Sequence, residues 1–189
     1  MAFKTSMPLA LPRAQTMDFF RKPDTWFRLN PEWEVRRLAN AHAFAEGAEF
    51  GLEVCYDRSG VEATYRGKTE EWKEGEGFSL LLDGDPQRRI RLTLAGEGKT
   101  ASALVYEELG EAPLEPRQQT ERVLWLKSTA DYLVIASRRK WRWRALRFLI
   151  DKLWLRLSPM GRRVVFLVLV LEFAGLLLLI GLLAIQRWL

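Results

Sequence analysis

One cysteine and one histidine stand in 189 residues, and that scarcity removes whole classes of chemistry before any pattern is read. Cys55 alone can form neither an intrachain disulfide nor a thiolate metal cluster, which accords with a reducing compartment. His42, with no second histidine and no cysteine nearby, cannot build a metal site. The opening stretch MAFKTSMPLALPRAQ lacks a basic segment followed by a long apolar run, so no signal peptide is expected. Phosphate-binding glycine loops, nucleophile elbows and metal-ligand spacings are missing as well. Acidic residues nearly vanish after Ser137. Residues 138–189 hold 11 Lys and Arg against two acids, Asp151 and Glu172, whereas residues 1–137 hold 18 against 22. The formal charge of +5 therefore describes the tail and not the body of the chain.

What is present is an apolar run. Val164 to Ile185 reads VVFLVLVLEFAGLLLLIGLLAI, 22 residues with one ionisable group. At about 1.5 Å per helical residue it spans roughly 33 Å, enough to cross a bilayer's hydrocarbon core. A transmembrane helix is predicted over 164–185. Ten basic residues and one acid lie between Arg138 and Arg163, and only Arg187 is charged beyond the helix. The positive-inside bias then keeps the N-terminal part in the cytoplasm, on a single-pass anchor in the cytoplasmic (inner) membrane, with residues 186–189 as a short tail on the far side. Anionic lipid headgroups are the nearest counter-charge to the basic stretch, so the bilayer is the expected partner and nucleic acid is not.

The 137 residues before the basic stretch suffice for one soluble domain. Phe3, Met7, Leu9 and Leu11 share a phase, which predicts a half-buried strand, and Pro8 puts it at a sheet edge. Two short helices separated by a kink are predicted around Pro23 and before Pro31. From Trp33 the grammar changes to strands and tight turns. Trp33–Ala43 is irregular because Arg36 and Arg37 break the alternation. Phe50–Tyr56 and Val61–Lys68 make a hairpin about Asp57-Arg58-Ser59-Gly60, and Phe78–Leu82, Arg88–Ala95 and Ala101–Leu109 continue a meander. Pro113 and Pro116 open a long helix with Val123, Leu126, Ala130, Leu133, Val134 and Ser137 at three- and four-residue steps. The helical pattern runs on through residues 138–157, where Leu146, Leu149, Ile150, Leu153 and Leu157 form an apolar stripe beside basic residues. Such a helix either lies in the headgroup region or continues the domain's own helix. Residues 138–163 are thus read as a basic amphipathic membrane-proximal segment, with Arg138, Arg139, Lys140, Trp141, Arg142, Trp143, Arg144 and Trp154 at the membrane surface.

The order strand, two short helices, six-stranded meander and long helix resembles the helix-grip fold of the SRPBCC superfamily, which includes START, polyketide-cyclase-like and coenzyme Q-binding proteins. Ala10-Leu11-Pro12, the Phe19-Phe20 helix, Asp24-Thr25-Trp26 and Pro31-Glu32-Trp33-Glu34-Val35 carry the resemblance. It covers residues 3–137 and implies an α+β fold, a seven-stranded antiparallel sheet wrapped on a long C-terminal helix with an apolar cavity between. With the anchor added, the architecture is similar to the membrane-anchored helix-grip subunit of carbon monoxide dehydrogenase, although Leu29-Asn30-Pro31 stands where that subfamily has Ile-Pro-Gly. Such proteins are associated with membrane recruitment of an enzyme and with quinone handling.

No set of residues makes an active site. Cys55 shares a strand face with Glu53 and Asp57, which disfavours a thiolate. The acidic cluster Glu70, Glu71, Glu74 and Glu76 reads as a solvated loop. A non-enzymatic subunit is expected, requiring no cofactor but able to hold a quinone, lipid or pigment, with Phe50, Leu52, Tyr65, Phe78, Leu92 and Leu133 as cavity-lining candidates. A purely structural accessory subunit with a filled cavity is the alternative. Glu172 lies about 12 Å into the span, where an acidic side chain costs roughly 2.5 to 3.5 kcal/mol. A neighbouring transmembrane helix would satisfy it, with Gly175 and Gly181 as thin places for close approach, so a membrane-protein complex is the expected partner. A protonated carboxyl facing lipid is the competing account.

Overall fold

The computed structural model describes residues 2–40, 44–84, 87–96, 98–110 and 113–188. His42, Asp85, Pro86 and Glu97 lie outside them, and with them parts of the irregular strand and of two expected turns. The chain runs β1 (Ala2–Pro12), α1 (Arg13–Phe20), α2 (Pro23–Arg28), β2 (Trp33–Ala39), β3 (Glu49–Tyr56), β4 (Glu62–Lys73), β5 (Gly77–Asp83), β6 (Arg88–Ala95), β7 (Thr100–Gly110), α3 (Pro116–Ser137), α4 (Trp141–Lys152), a 3₁₀ turn (Trp154–Arg156) and α5 (Pro159–Trp188).

Seven antiparallel strands form one sheet in the order β1-β7-β6-β5-β4-β3-β2. Consecutive strands from β2 to β7 are neighbours, joined from β3 onward by connections of three to five residues; β1 pairs with the last strand. Pro8 is tolerated since β1 is an edge and its missing N–H faces no second strand. The Arg36-Arg37 pair has a structural counterpart: the β2–β3 register shifts between Val35 and Arg37, where one extra residue turns Arg36 and Arg37 both outward. Pro23 starts α2 at its first position, where no N–H is needed. Pro116 does the same for α3, whose Glu115 and Gln118 complete a capping box.

The sheet wraps α3, and aromatic rings fill the space between them. Trp125 of α3 stacks on Trp26 at 4.6 Å between centroids and lies 5.3 Å from Trp33 and 6.1 Å from Tyr106. Its indole N–H donates to the Trp26 carbonyl at 2.9 Å, so the largest side chain of the helix is also satisfied as a donor.

Two expectations are corrected. The acidic run is not simply a loop, because β4 continues to Lys73 and takes in Glu70 and Glu71. Thr69 is wholly buried and Trp72 stacks on Phe78 at 5.4 Å, so inward-facing residues extend the strand across a bulge between Thr69 and Glu71. Glu70 pairs with Arg89 and Glu74 with Arg21, each at 2.7 Å. The helical pattern after Ser137 is likewise interrupted. Arg138 and Lys140 are extended, and α4 packs back on α3, where the Tyr132 hydroxyl donates to Asp151 Oδ1 at 2.7 Å. The break is what allows Asp151 to reach Tyr132.

Candidate functional site

The six residues expected to line a cavity are all buried in one core cluster. Phe50 lies 5.6 Å from Phe27 and 5.2 Å from Phe44, Tyr65 stacks on Trp33 at 6.1 Å, and Phe78 meets Phe20 at 5.1 Å and Trp26 at 5.8 Å. Leu52 and Leu92 face inward from β3 and β6, and Leu133 from α3. Their partners are this chain's own rings.

Within the grip sits a polar cluster that sequence reasoning missed. Arg122, 3% exposed, donates from Nε to Glu108 Oε2 at 2.7 Å, and Tyr106 donates its hydroxyl to the same oxygen at 2.5 Å. Arg88 lies 3.5 Å from Glu108 Oε1, and the Arg122 guanidinium is 6.0 Å from the Trp33 ring centroid. Burial works to raise the Glu108 carboxyl, but the two arginines and the Tyr106 bond outweigh it and hold it below the ordinary range. Tyr106 is pushed well up by burial and the adjacent carboxylate. The signal was present: Leu104, Tyr106 and Glu108 share one strand phase, and Arg122 precedes Trp125 and Leu126 by three and four residues on the inward face of α3.

The apolar concavity lies elsewhere. A groove of about 710 Å³ opens on the outer side of α3, walled by α4, the 3₁₀ turn and the first turns of α5. Tyr132 and Ile135 come from α3, and Leu146, Leu149, Ile150 and Leu153 from α4 and its end. The apolar stripe 146–157 therefore faces the groove at every one of its five positions. Leu29 and Pro31 close the end near α2, while Val165 and Leu169 of α5 form the wall toward the apolar helix. The volume falls in the range of small-molecule sites, about 300–1,000 Å³.

Charge is concentrated at the foot of α5. Arg163 lies 3.1 Å from Glu32 and 3.0 Å from Asp57, both acids with buried side chains, and the Met160 N–H donates to Asp57 Oδ1 at 2.8 Å. Arg58 also meets Glu32 at 3.2 Å. Arg162 differs. Its Nε donates to the carbonyls of Trp154 and Leu157, each at 3.1 Å, its Nη2 reaches the Leu155 carbonyl at 3.4 Å, and no carboxylate pairs with it among the described residues.

Of the residues assigned to the membrane surface, Arg138, Arg139, Lys140, Trp141, Arg142 and Arg144 are exposed, while Trp143 and Trp154 are half-buried. Trp141 is 74% exposed, and Arg138 covers the Trp143 ring at 4.1 Å. Pro159–Ile180 of α5 is long and apolar enough to cross a membrane, and none of its most apolar stretch is buried. Glu172 and Gly175 are exposed there, Glu172 without a hydrogen bond or ion pair among the described residues, and a Cβ at Gly175 would meet nothing within 4 Å. At about 100° per residue, Gly181 lies roughly half a turn round the helix from Glu172. Among the described residues no group of three His, Cys, Asp or Glu could hold a metal ion.

No family model matches the sequence, and no curated protein matches it. Solved structures do. Protein CV1439 from Chromobacterium violaceum is 18% identical with a TM-score of 0.55 over 70% of this chain and 96% of its own. TTHA0849 from Thermus thermophilus is 14% identical with a TM-score of 0.55 over 73% and 100%. Ara h 8.0201 is 12% identical with a TM-score of 0.51 over 71% and 97%. The chain has the helix-grip fold. At these identities the likeness fixes the α+β architecture alone, and a helix-grip domain is compatible with binding or with catalysis.

Proposed function

We propose that this protein is a membrane-anchored, non-enzymatic subunit that holds an apolar ligand, a quinone, lipid or pigment, and associates with a membrane-protein complex. The observation that carries the reading is the groove where α3 and α4 meet the foot of α5, because an apolar concavity continuous with a membrane-crossing helix can receive a molecule directly from the bilayer. In this reading the domain faces the cytoplasm, the basic residues from Arg138 to Arg144 lie against anionic headgroups, and Glu172 meets a neighbouring helix. The similarity in architecture to the membrane-anchored component of carbon monoxide dehydrogenase supports a recruiting role. Mass spectrometry of an organic extract of the purified protein tests the binding half: one retained hydrophobic molecule per chain is expected, and an empty extract overturns it.

The packed grip favours a second reading, a structural accessory subunit. With Trp26, Trp33 and Trp125 filling the space under the sheet, the domain would serve as a rigid docking body. An empty extract together with undiminished co-purification of a membrane complex would establish that reading.

A further inference from the structure

We propose that the groove seats an acyl chain of an anionic phospholipid whose phosphate pairs with Arg162. The inference rests on the ligand-binding reading above and names the class of ligand. Three observations converge on it. The first is position. Val165 and Leu169 wall the groove and belong to the first turns of the apolar stretch, so an acyl chain can pass between bilayer and groove without crossing a polar surface. Arg162 and Arg163 are the last charged residues before Val164, where the unbroken apolar run begins, and in the membrane-spanning reading they stand at the depth of the lipid phosphates.

The second observation is charge complementarity. Arg163 is occupied by Glu32 and Asp57. Arg162 lines the groove and contacts only carbonyl oxygens, which orient the guanidinium without neutralising it. Its nearest charged influences are the like charge of Arg28 and the carboxylate of Asp57, which Arg163 already engages. A half-buried, unneutralised guanidinium so placed is a charge partner for phosphate. The third is composition: apart from the two arginines only Ser128, Tyr132 and the exposed Asp131 are polar, and the rest of the lining is Leu, Ile, Pro, Val and Trp, which suits a hydrocarbon chain.

The test uses the full chain, purified in mild detergent and reconstituted into nanodiscs. Native mass spectrometry should find about one phospholipid retained per chain. Competition between phosphatidylglycerol and phosphatidylcholine should favour the former by about fivefold, the effect of one cation near the lipid surface. Arg162→Gln should abolish the preference, and Arg162→Lys, which keeps the charge, should retain most of it. Leu149→Trp, filling the groove, should reduce total retained lipid. Arg156→Gln, an exposed cation outside the groove, should change neither. Circular dichroism identifies any variant that fails to fold. If Arg162→Lys loses the preference as fully as Arg162→Gln, Arg162 acts only by holding the 3₁₀ turn and the inference falls. An Arg156→Gln effect as large as that of Arg162→Gln would reduce the preference to general surface charge and also overturn it. A retained quinone or neutral lipid removes the phosphate pairing but leaves the ligand-binding reading intact. Retention of nothing at all removes both.

Discussion

Arg163, at the start of the second turn of the apolar helix, lies 3.0 Å from Asp57 just after the first hairpin strand, and Asp57 also accepts the Met160 N–H. The apolar helix is thereby fastened to the sheet domain by charge and by backbone. Arg163→Ala should cost about 1–2 kcal/mol, less than a fully buried pair because Arg163 is itself half exposed. Hydrogen exchange at residues 158–163 should accelerate while exchange in the sheet is unchanged.

Trp125 is the centre of the grip, 1% exposed and in contact with Trp26, Phe27, Trp33 and Tyr106. Trp125→Ala should destabilise the domain by about 3–5 kcal/mol through the cavity it leaves. The orphaned Trp26 carbonyl adds to the loss. Trp125→Phe should cost less, and the two midpoints in chemical denaturation measure the difference.

The Glu108 carboxyl, held below its ordinary range in the folded chain, predicts a pH dependence of definite sign. Its stabilisation is present above the unfolded carboxylate range, around pH 4.5, and is lost as pH falls through the depressed value. Denaturation midpoints should therefore drop in acid. Glu108→Gln should flatten that drop, and at neutral pH should cost about 3–5 kcal/mol by leaving Arg122 buried without its partner.

Glu172 has no hydrogen bond or ion pair among the described residues, yet it stands in the most apolar helix. Glu172→Leu should leave the protein fully membrane-inserted while reducing co-purification of a membrane complex in mild detergent. Equal recovery of the complex would make the carboxyl a tolerated passenger.

The proposed orientation, argued from the charge flanks, has a direct test. Protease added to sealed inside-out vesicles should remove the domain, and right-side-out vesicles should protect it. Protection in both would contradict the positive-inside argument.

Element order was legible because each element has a local cause. Alternation in Phe50–Tyr56, prolines at Pro23 and Pro116 and the paired Arg36-Arg37 each produce a feature at that place in the fold. The groove was not legible in the same way. Leu146, Leu149, Ile150, Leu153 and Leu157 announce one apolar face, but whether that face meets lipid or protein depends on the Tyr132–Asp151 bond, a contact between separate helices. The Glu108–Arg122 pair was hidden for a related reason: each residue lies on the inward phase of its own element, yet only the packing of α3 on the sheet joins them.

Leu155 is 3% exposed, and Val165 already forms part of the groove wall, so almost no slack chain separates the domain from the apolar helix. A flexible tether would let the domain sample many attitudes above the bilayer, and a partner would lose that freedom on every encounter. Here the attitude is set before the encounter. If the proposed anchoring holds, a partner diffusing in the same membrane would meet one presented face, and its search would reduce to translation in a plane and rotation about its normal.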